Sequence, residues 1–132
     1  MESGILVGSS YLGPARAWPL MKSPLSSLGQ VRRYALSLPE VTEQPHFDYV
    51  SFRVRGKIFA TVPPDGQHLH VFVGEEQREL ALVTHTTCLE KLWWGGKVVG
   101  LRVDLAKADG KAVKELMRQA WARKAPKSLA GS

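Results

Sequence analysis

Cysteine is scarce in this 132-residue sequence, in which Cys88 is the only one. A lone thiol excludes an internal disulfide and a zinc site built from several cysteines, and it is typical of a reducing compartment. No stretch approaches the ~20 consecutive apolar residues that a membrane-spanning helix needs. We therefore expect a small soluble domain that resides in the cytoplasm.

The familiar motifs of catalysis are also missing. The sequence contains no G-x-S-x-G turn, no P-loop, no G-x-G-x-x-G and no H-E-x-x-H. Cys88 precedes a predicted strand, and we interpret it as a buried, unreactive thiol. We expect no enzymatic activity, no catalytic residue and no cofactor.

Positive charge is in excess, with 18 Lys and Arg against 12 Asp and Glu and a net charge of +6. From residue 101 to the end there are eight basic and three acidic residues, and Arg53, Arg55 and Lys57 form a second cluster without an acid. A cationic domain attracts polyanions. The charge therefore favours a nucleic-acid partner without identifying one.

Residues 1–20 differ in composition from the rest of the chain. They are rich in Gly, Ser and Pro and show no sustained periodicity. A secretory signal would have a basic start and a longer apolar run than Ile5 to Val7. We interpret residues 1–20 as a poorly ordered N-terminal extension and residues 21–132 as a single domain.

Hydrophobic periodicity predicts the helices and strands of this domain. Ser27 and Gln30 fit a capping box at the start of a helix that Pro39 ends. A second helix is predicted at residues 75–84 and a third after Asp109, with an apolar stripe of Val113, Leu116, Met117, Ala120 and Trp121. Strands are predicted at residues 48–55, 57–62, 68–73, 89–94 and 97–105. This order favours an α+β two-layer sandwich, with an antiparallel sheet of about five strands and helices on one face.

Alternation along the strands assigns a basic, aromatic-bearing face to the side of the sheet away from the helices. Cations neutralise phosphates, and aromatic rings offer stacking surfaces, so this face is a candidate nucleic-acid interface. At the Gly95–Gly96 hairpin turn, alternation sends Trp93 and Trp94 to opposite faces, which places one indole in the core. The candidate nucleic-acid-binding residues are Arg53, Arg55, Lys57, Phe59, Trp94, Lys97 and Arg102.

His68 and His70 share one strand face at a spacing that can hold a metal ion. Two ligands do not make a site, and no carboxylate or cysteine lies close to them in the predicted strand. We therefore expect no metal site here.

Three runs of sequence resemble the MmcQ/YjbR-like family: ALSLPEVTE at residues 35–43, PHF at 45–47 and SFRVRGKIFA at 51–60. The later runs GLRVDL at 100–105 and AWARKAPK at 120–127 are similar to that family's closing strand and helix, so the likeness covers about residues 27–129. The resemblance implies a sandwich similar to the CyaY (frataxin) fold. It also implies a bacterial-type DNA-binding protein that acts as a monomer.

Charge and resemblance together favour a non-enzymatic DNA-binding protein with low sequence specificity. An alternative is an interaction module for a protein or small ligand that docks an acidic partner on the same face. Metal handling of the frataxin type is disfavoured because it is associated with an acidic ridge and this chain is basic. The choice between DNA and RNA stays open.

Overall fold

The computed structural model describes residues 28–130. The expected N-terminal extension at residues 1–20 and the Ser27 cap lie outside this part of the chain. The elements are, in order, α1 (Leu28–Ser37), β1 (Val41–His46), β2 (Tyr49–Val54), β3 (Lys57–Val62), β4 (His68–Val71), α2 (Glu75–Thr84), β5 (Leu89–Trp94), β6 (Lys97–Asp104), α3 (Gly110–Lys124) and α4 (Lys127–Ala130). Among the described residues, no helix is both long enough and apolar enough to cross a membrane.

Six strands of residues 28–130 form one sheet in the order β1-β2-β3-β4-β6-β5, and every neighbouring pair is antiparallel. The helices pack on one face of this sheet, so the α+β sandwich expected from the sequence is confirmed. The sheet has one strand more than the approximately five that the sequence predicted, because β1 was not predicted.

Within the described residues, strand β1 lies at the edge of the sheet and pairs only with β2. Its residues are exposed or half-buried, and Pro45 interrupts the run. Proline lacks an N–H group, so it is tolerated mainly on edge strands. A strand that buries so little surface carries almost no alternation signal, which is why the sequence pattern did not reveal it.

The core lies between the helices and one sheet face, and the apolar stripe predicted for α3 is fully buried there. Trp121 in this stripe donates its indole N–H to the Pro39 carbonyl at 3.0 Å, which ties α3 to the end of α1. Asp109 occupies the N-cap position of α3 but makes no side-chain capping bond. The packing of α3, more than its cap, therefore holds this helix.

A β-bulge corrects the predicted orientation of Phe59. Phe52 pairs with Ala60 and Arg53 pairs with Ile58, so Phe59 is the extra residue of β3. A bulge of this kind breaks the alternation of side chains along its strand. Phe59 is consequently 0% exposed in the core, and the expectation that it lies on the nucleic-acid face is wrong. Ile58, the next residue towards the start of β3, lies on the opposite side of the sheet.

Candidate nucleic-acid interface

A groove of about 610 Å³ lies on the sheet face that the helices leave uncovered. We call it the open-face groove. Its lining is mainly apolar and aromatic, with a few polar side chains among the rings. The lining residues are His46, Phe47, Tyr49, Ile58, Thr61, His70, Phe72, Leu92, Trp93, Trp94, Val99 and Lys124.

Phe47, in the turn between β1 and β2, lines one part of the groove. Its side chain is 90% exposed, and its ring meets that of His46 edge-on at 4.9 Å between centroids. Its φ of 58° lies in the left-handed region, which is strained for a bulky side chain and costs on the order of 1–3 kcal/mol. Strained turns that hold a large ring in solvent are typical of binding sites.

The β5–β6 hairpin contributes Trp93 and Trp94, which are 61% and 78% exposed. Gly95 and Gly96, with φ of 58° and 81°, supply the positive φ angles that a tight type I′ hairpin turn requires. Leu92 pairs with Gly100 and Trp93 pairs with Val98, so Val99 of β6 is the extra residue of a bulge in this hairpin. Both indoles line the groove, and the expectation that one belongs to the core is wrong.

His70 lies deep in the groove and is only 6% exposed. Its ring lies 6.0 Å from that of Tyr49, and its Nε2 has no hydrogen-bond partner within the described part of the chain. Burial, followed by the charges of Arg102 and His68, lowers the pKa of His70 to about 4. The imidazole is therefore neutral at physiological pH and can act as either a donor or an acceptor.

Lys57 and Lys97 are the first residues of β3 and β6, and Lys124 is the last residue of α3; we call these three lysines the cationic rim. Strand register places the first two at the same end of the sheet, and Lys124 lines the groove. No carboxylate of residues 28–130 lies within 4.0 Å of any of the three ammonium groups. Burial, Arg123 and Lys57 lower the pKa of Lys124. Lys57, Arg123 and Lys124 thus bring like charges together, and an anion bound beside them would relieve their repulsion.

The predicted arginines differ in how far they are neutralised. Arg53 lies on the open face and donates from Nε to the Ser51 hydroxyl at 3.2 Å. Arg55, in the β2–β3 turn, forms a two-pronged ion pair with Glu40, at 2.5 Å and 3.0 Å.

Arg102, on β6, pairs with His70 of β4. Its guanidinium lies 3.5 Å from a Glu90 oxygen and 3.9 Å from an Asp65 oxygen. Arg55 and Arg102 therefore already have carboxylate partners, whereas no carboxylate of residues 28–130 pairs with Arg53.

Of the seven predicted residues, Trp94 lines the groove, whereas Arg53, Lys57 and Lys97 do not belong to its lining. Sequence reasoning missed Lys124, because its approach to the groove depends on how the end of α3 meets the sheet. It also missed Phe47 as a groove residue, although a large ring in a short turn of the Pro45–Asp48 segment was a visible signal.

His68 and Cys88 show no arrangement that suggests metal or thiol chemistry. His68 Nδ1 lies 2.8 Å from the Asp65 carboxylate, and no group of three or more His, Cys, Asp or Glu that could hold a metal ion occurs in residues 28–130. The Cys88 thiol lies 3.9 Å from the His85 carbonyl, and burial raises its pKa, so it stays protonated.

Comparisons with known proteins agree with this architecture. The YjbR family model matches residues 36–123. The fold is similar to the crystal structure of Deinococcus radiodurans protein DR2400, a DUF419 domain, with a TM-score of 0.67 and 20% sequence identity. The match covers 78% of this chain and 81% of that one, and it concerns the fold alone. No curated protein matches the sequence.

Proposed function

This chain belongs to the YjbR family, and we propose that it is a non-enzymatic DNA-binding protein that uses the open face of its sheet. In this proposal the protein acts as a cytoplasmic monomer with low sequence specificity. The observation that carries it is that two exposed indoles and Lys124 line one groove, while Lys97 pairs with Trp94 at the end of the β5–β6 hairpin.

Unpaired lysines are suited to phosphate binding because each one can neutralise a phosphate and release its condensed counterions. Lys57, Lys97 and Lys124 have no carboxylate to displace within the described residues, unlike Arg55 with its Glu40 partner. Contacts to phosphates fix position on the nucleic acid and carry no base information. The low specificity in the proposal follows from this kind of contact.

The absence of catalysis in the proposal is supported by the state of the titratable groups. The raised pKa of Cys88 keeps its thiol from acting as a nucleophile, and His70 is a neutral imidazole with a pKa far below 7. Neither group has the activated partner that nucleophilic catalysis requires.

A second candidate function is a small-ligand or acidic-protein module on the same face. The groove volume supports it, because about 610 Å³ falls in the range of small-molecule sites, and His70 adds a polar group deep in an apolar lining. In this case a partner captured from a lysate would survive nuclease treatment, and purified DNA would not bind.

The test is fluorescence anisotropy with labelled DNA at increasing salt. We expect a Kd in the micromolar range at low salt and a linear fall of log K with log salt. The double variant Lys57→Glu/Lys97→Glu should weaken binding at least about tenfold and reduce the salt slope by about two. Both side chains are exposed, so the fold should be unaffected.

The matched control is Lys107→Glu/Lys111→Glu, which makes the same change of charge at two exposed lysines. Lys111 lies near the start of α3, about 20 Å along the helix axis from Lys124. We expect this control to weaken binding by no more than about threefold. Equal losses in the two double variants, or no DNA binding at low salt, would contradict the proposal.

A further inference from the structure

Three large rings along the open-face groove are exposed to solvent. Among the described residues the exposed large hydrophobic side chains are Leu36, Phe47, Leu80, Val83, Trp93 and Trp94, and all three aromatic members of this set line the groove. Exposing three rings costs free energy that a monomer regains only when a partner covers them. Binding of flat apolar groups in the groove would therefore be favourable, because it would remove the rings from water.

Unpaired nucleobases have the chemistry that fits these rings. Each base has a flat π face that stacks on an indole or phenyl ring regardless of its identity. In a duplex those faces are covered by the neighbouring base pairs, and only base edges are offered in the grooves. The exposed rings of Phe47, Trp93 and Trp94 can consequently contribute to binding only when the bases are unstacked.

The volume of the groove also favours unpaired nucleotides as its ligand. A volume of about 610 Å³ is typical of a site for a drug-sized molecule, which corresponds to one or two nucleotides and not to a double helix. A duplex would contact the cationic rim and leave the interior uncovered.

Charge complementarity links the rim to this interior. Lys124 belongs to the cationic rim and also lines the groove, so a phosphate that it binds brings the attached base to the aromatic side chains. The lowered pKa of Lys124 reflects burial and the nearby charges of Arg123 and Lys57, and a phosphate would relieve this repulsion. His70 adds an unpartnered Nε2 among the apolar lining residues.

We infer that the open-face groove is a site for single-stranded DNA, with unstacked bases against Phe47, Trp93 and Trp94 and the phosphates along the cationic rim. This inference rests on the proposed function, which it narrows from DNA in general to a single strand. It also assigns the affinity to two separate sources, stacking in the groove and charge at the rim.

The experiment compares fluorescein-labelled oligothymidylate of about 12 nucleotides with a duplex of the same length at one salt concentration. We expect the single strand to bind about tenfold or more tightly than the duplex. Trp94→Ala should weaken binding of the single strand about tenfold and leave the weaker duplex binding unchanged. Leu80→Ala, the matched control on α2 at 66% exposure, should change neither.

The outcomes separate the two proposals. Duplex binding as tight as that of the single strand overturns this inference and leaves DNA binding in place. An equal loss for both probes in Trp94→Ala also overturns it, because the indole would then not act through unstacked bases. If neither probe binds at low salt, the proposed function itself is overturned. Both substituted side chains are exposed, and circular dichroism spectra verify that the variants are folded.

Discussion

The two faces of the same sheet use their aromatic residues in opposite ways. On the helix side, Phe52 and Phe59 are fully buried and fill the core. On the open side, Phe47, Trp93 and Trp94 line a groove and remain largely in solvent. Burial of a phenyl ring stabilises the fold, whereas an exposed ring contributes only when a partner covers it. We therefore expect the stability of the fold to depend on the helix-covered face, and the proposed binding to depend on the open face.

The largest expected difference in stability is between two variants that each remove one aromatic ring, one ring from each face of the sheet. Phe59→Ala should lower the free energy of unfolding by about 3–5 kcal/mol, because it leaves a cavity in a packed core. Trp94→Ala should change it by less than about 1 kcal/mol, because the indole is mostly exposed. Urea denaturation followed by circular dichroism measures both. Similar losses in the two variants would remove the distinction between the faces.

A smaller effect is expected from pH, through His70 on the open face. The unfolded chain takes up a proton at this residue near pH 6.5, whereas the folded protein does so only near pH 4. In this window the unfolded state binds more protons, so stability falls as the pH falls from about 6.5 to 4. The loss should be about 2 kcal/mol, because solvent in the groove screens part of the effect.

His70→Gln provides the control for this pH dependence, because glutamine does not titrate. The two proteins are compared by urea denaturation across that window, and the difference in their pH slopes isolates His70. The carboxylates, including Asp65 beside His68, contribute equally to both curves. Parallel curves for wild type and variant would show that His70 is not buried in its neutral form.

The smallest expected effect on stability comes from relieving the backbone strain at Phe47, which lines the groove. Phe47→Gly should raise the free energy of unfolding by up to about 1 kcal/mol, since glycine adopts the positive φ of this turn without steric cost. The same variant should weaken binding of single-stranded DNA. Thermal unfolding and anisotropy on one preparation measure the two changes. A destabilised variant with unchanged binding would place Phe47 in the fold and not in the site.

Much of the helix-covered face could be predicted from the sequence. The stripe from Val113 to Trp121 follows the helical period, and the bounds of β3 and β5 follow from alternation and turn residues. These signals are local, so they do not depend on knowing which elements are neighbours.

The open face could be predicted only in part, because its features depend on pairing. The bulge that buries Phe59 arises from the pairing of β3 with the neighbouring strand β2. The register shift in the β5–β6 hairpin likewise arises from the pairing of those two strands. The ion pair between Arg55 and Glu40 joins residues that are 15 positions apart in the sequence. Charge counting along the chain cannot reveal such pairs, so the predicted basic cluster was larger than the unpaired one.

The most direct test of the central claim is an NMR titration with DNA that follows the indole N–H signals of the tryptophans. Trp121 is buried and its indole N–H is bonded to the Pro39 carbonyl, so it reports on the helix-covered face. Trp93 and Trp94 report on the groove. We expect the signals of these two to shift as DNA is added while that of Trp121 stays in place. A shift of the Trp121 signal with Trp93 and Trp94 unmoved would contradict the assignment of binding to the open face.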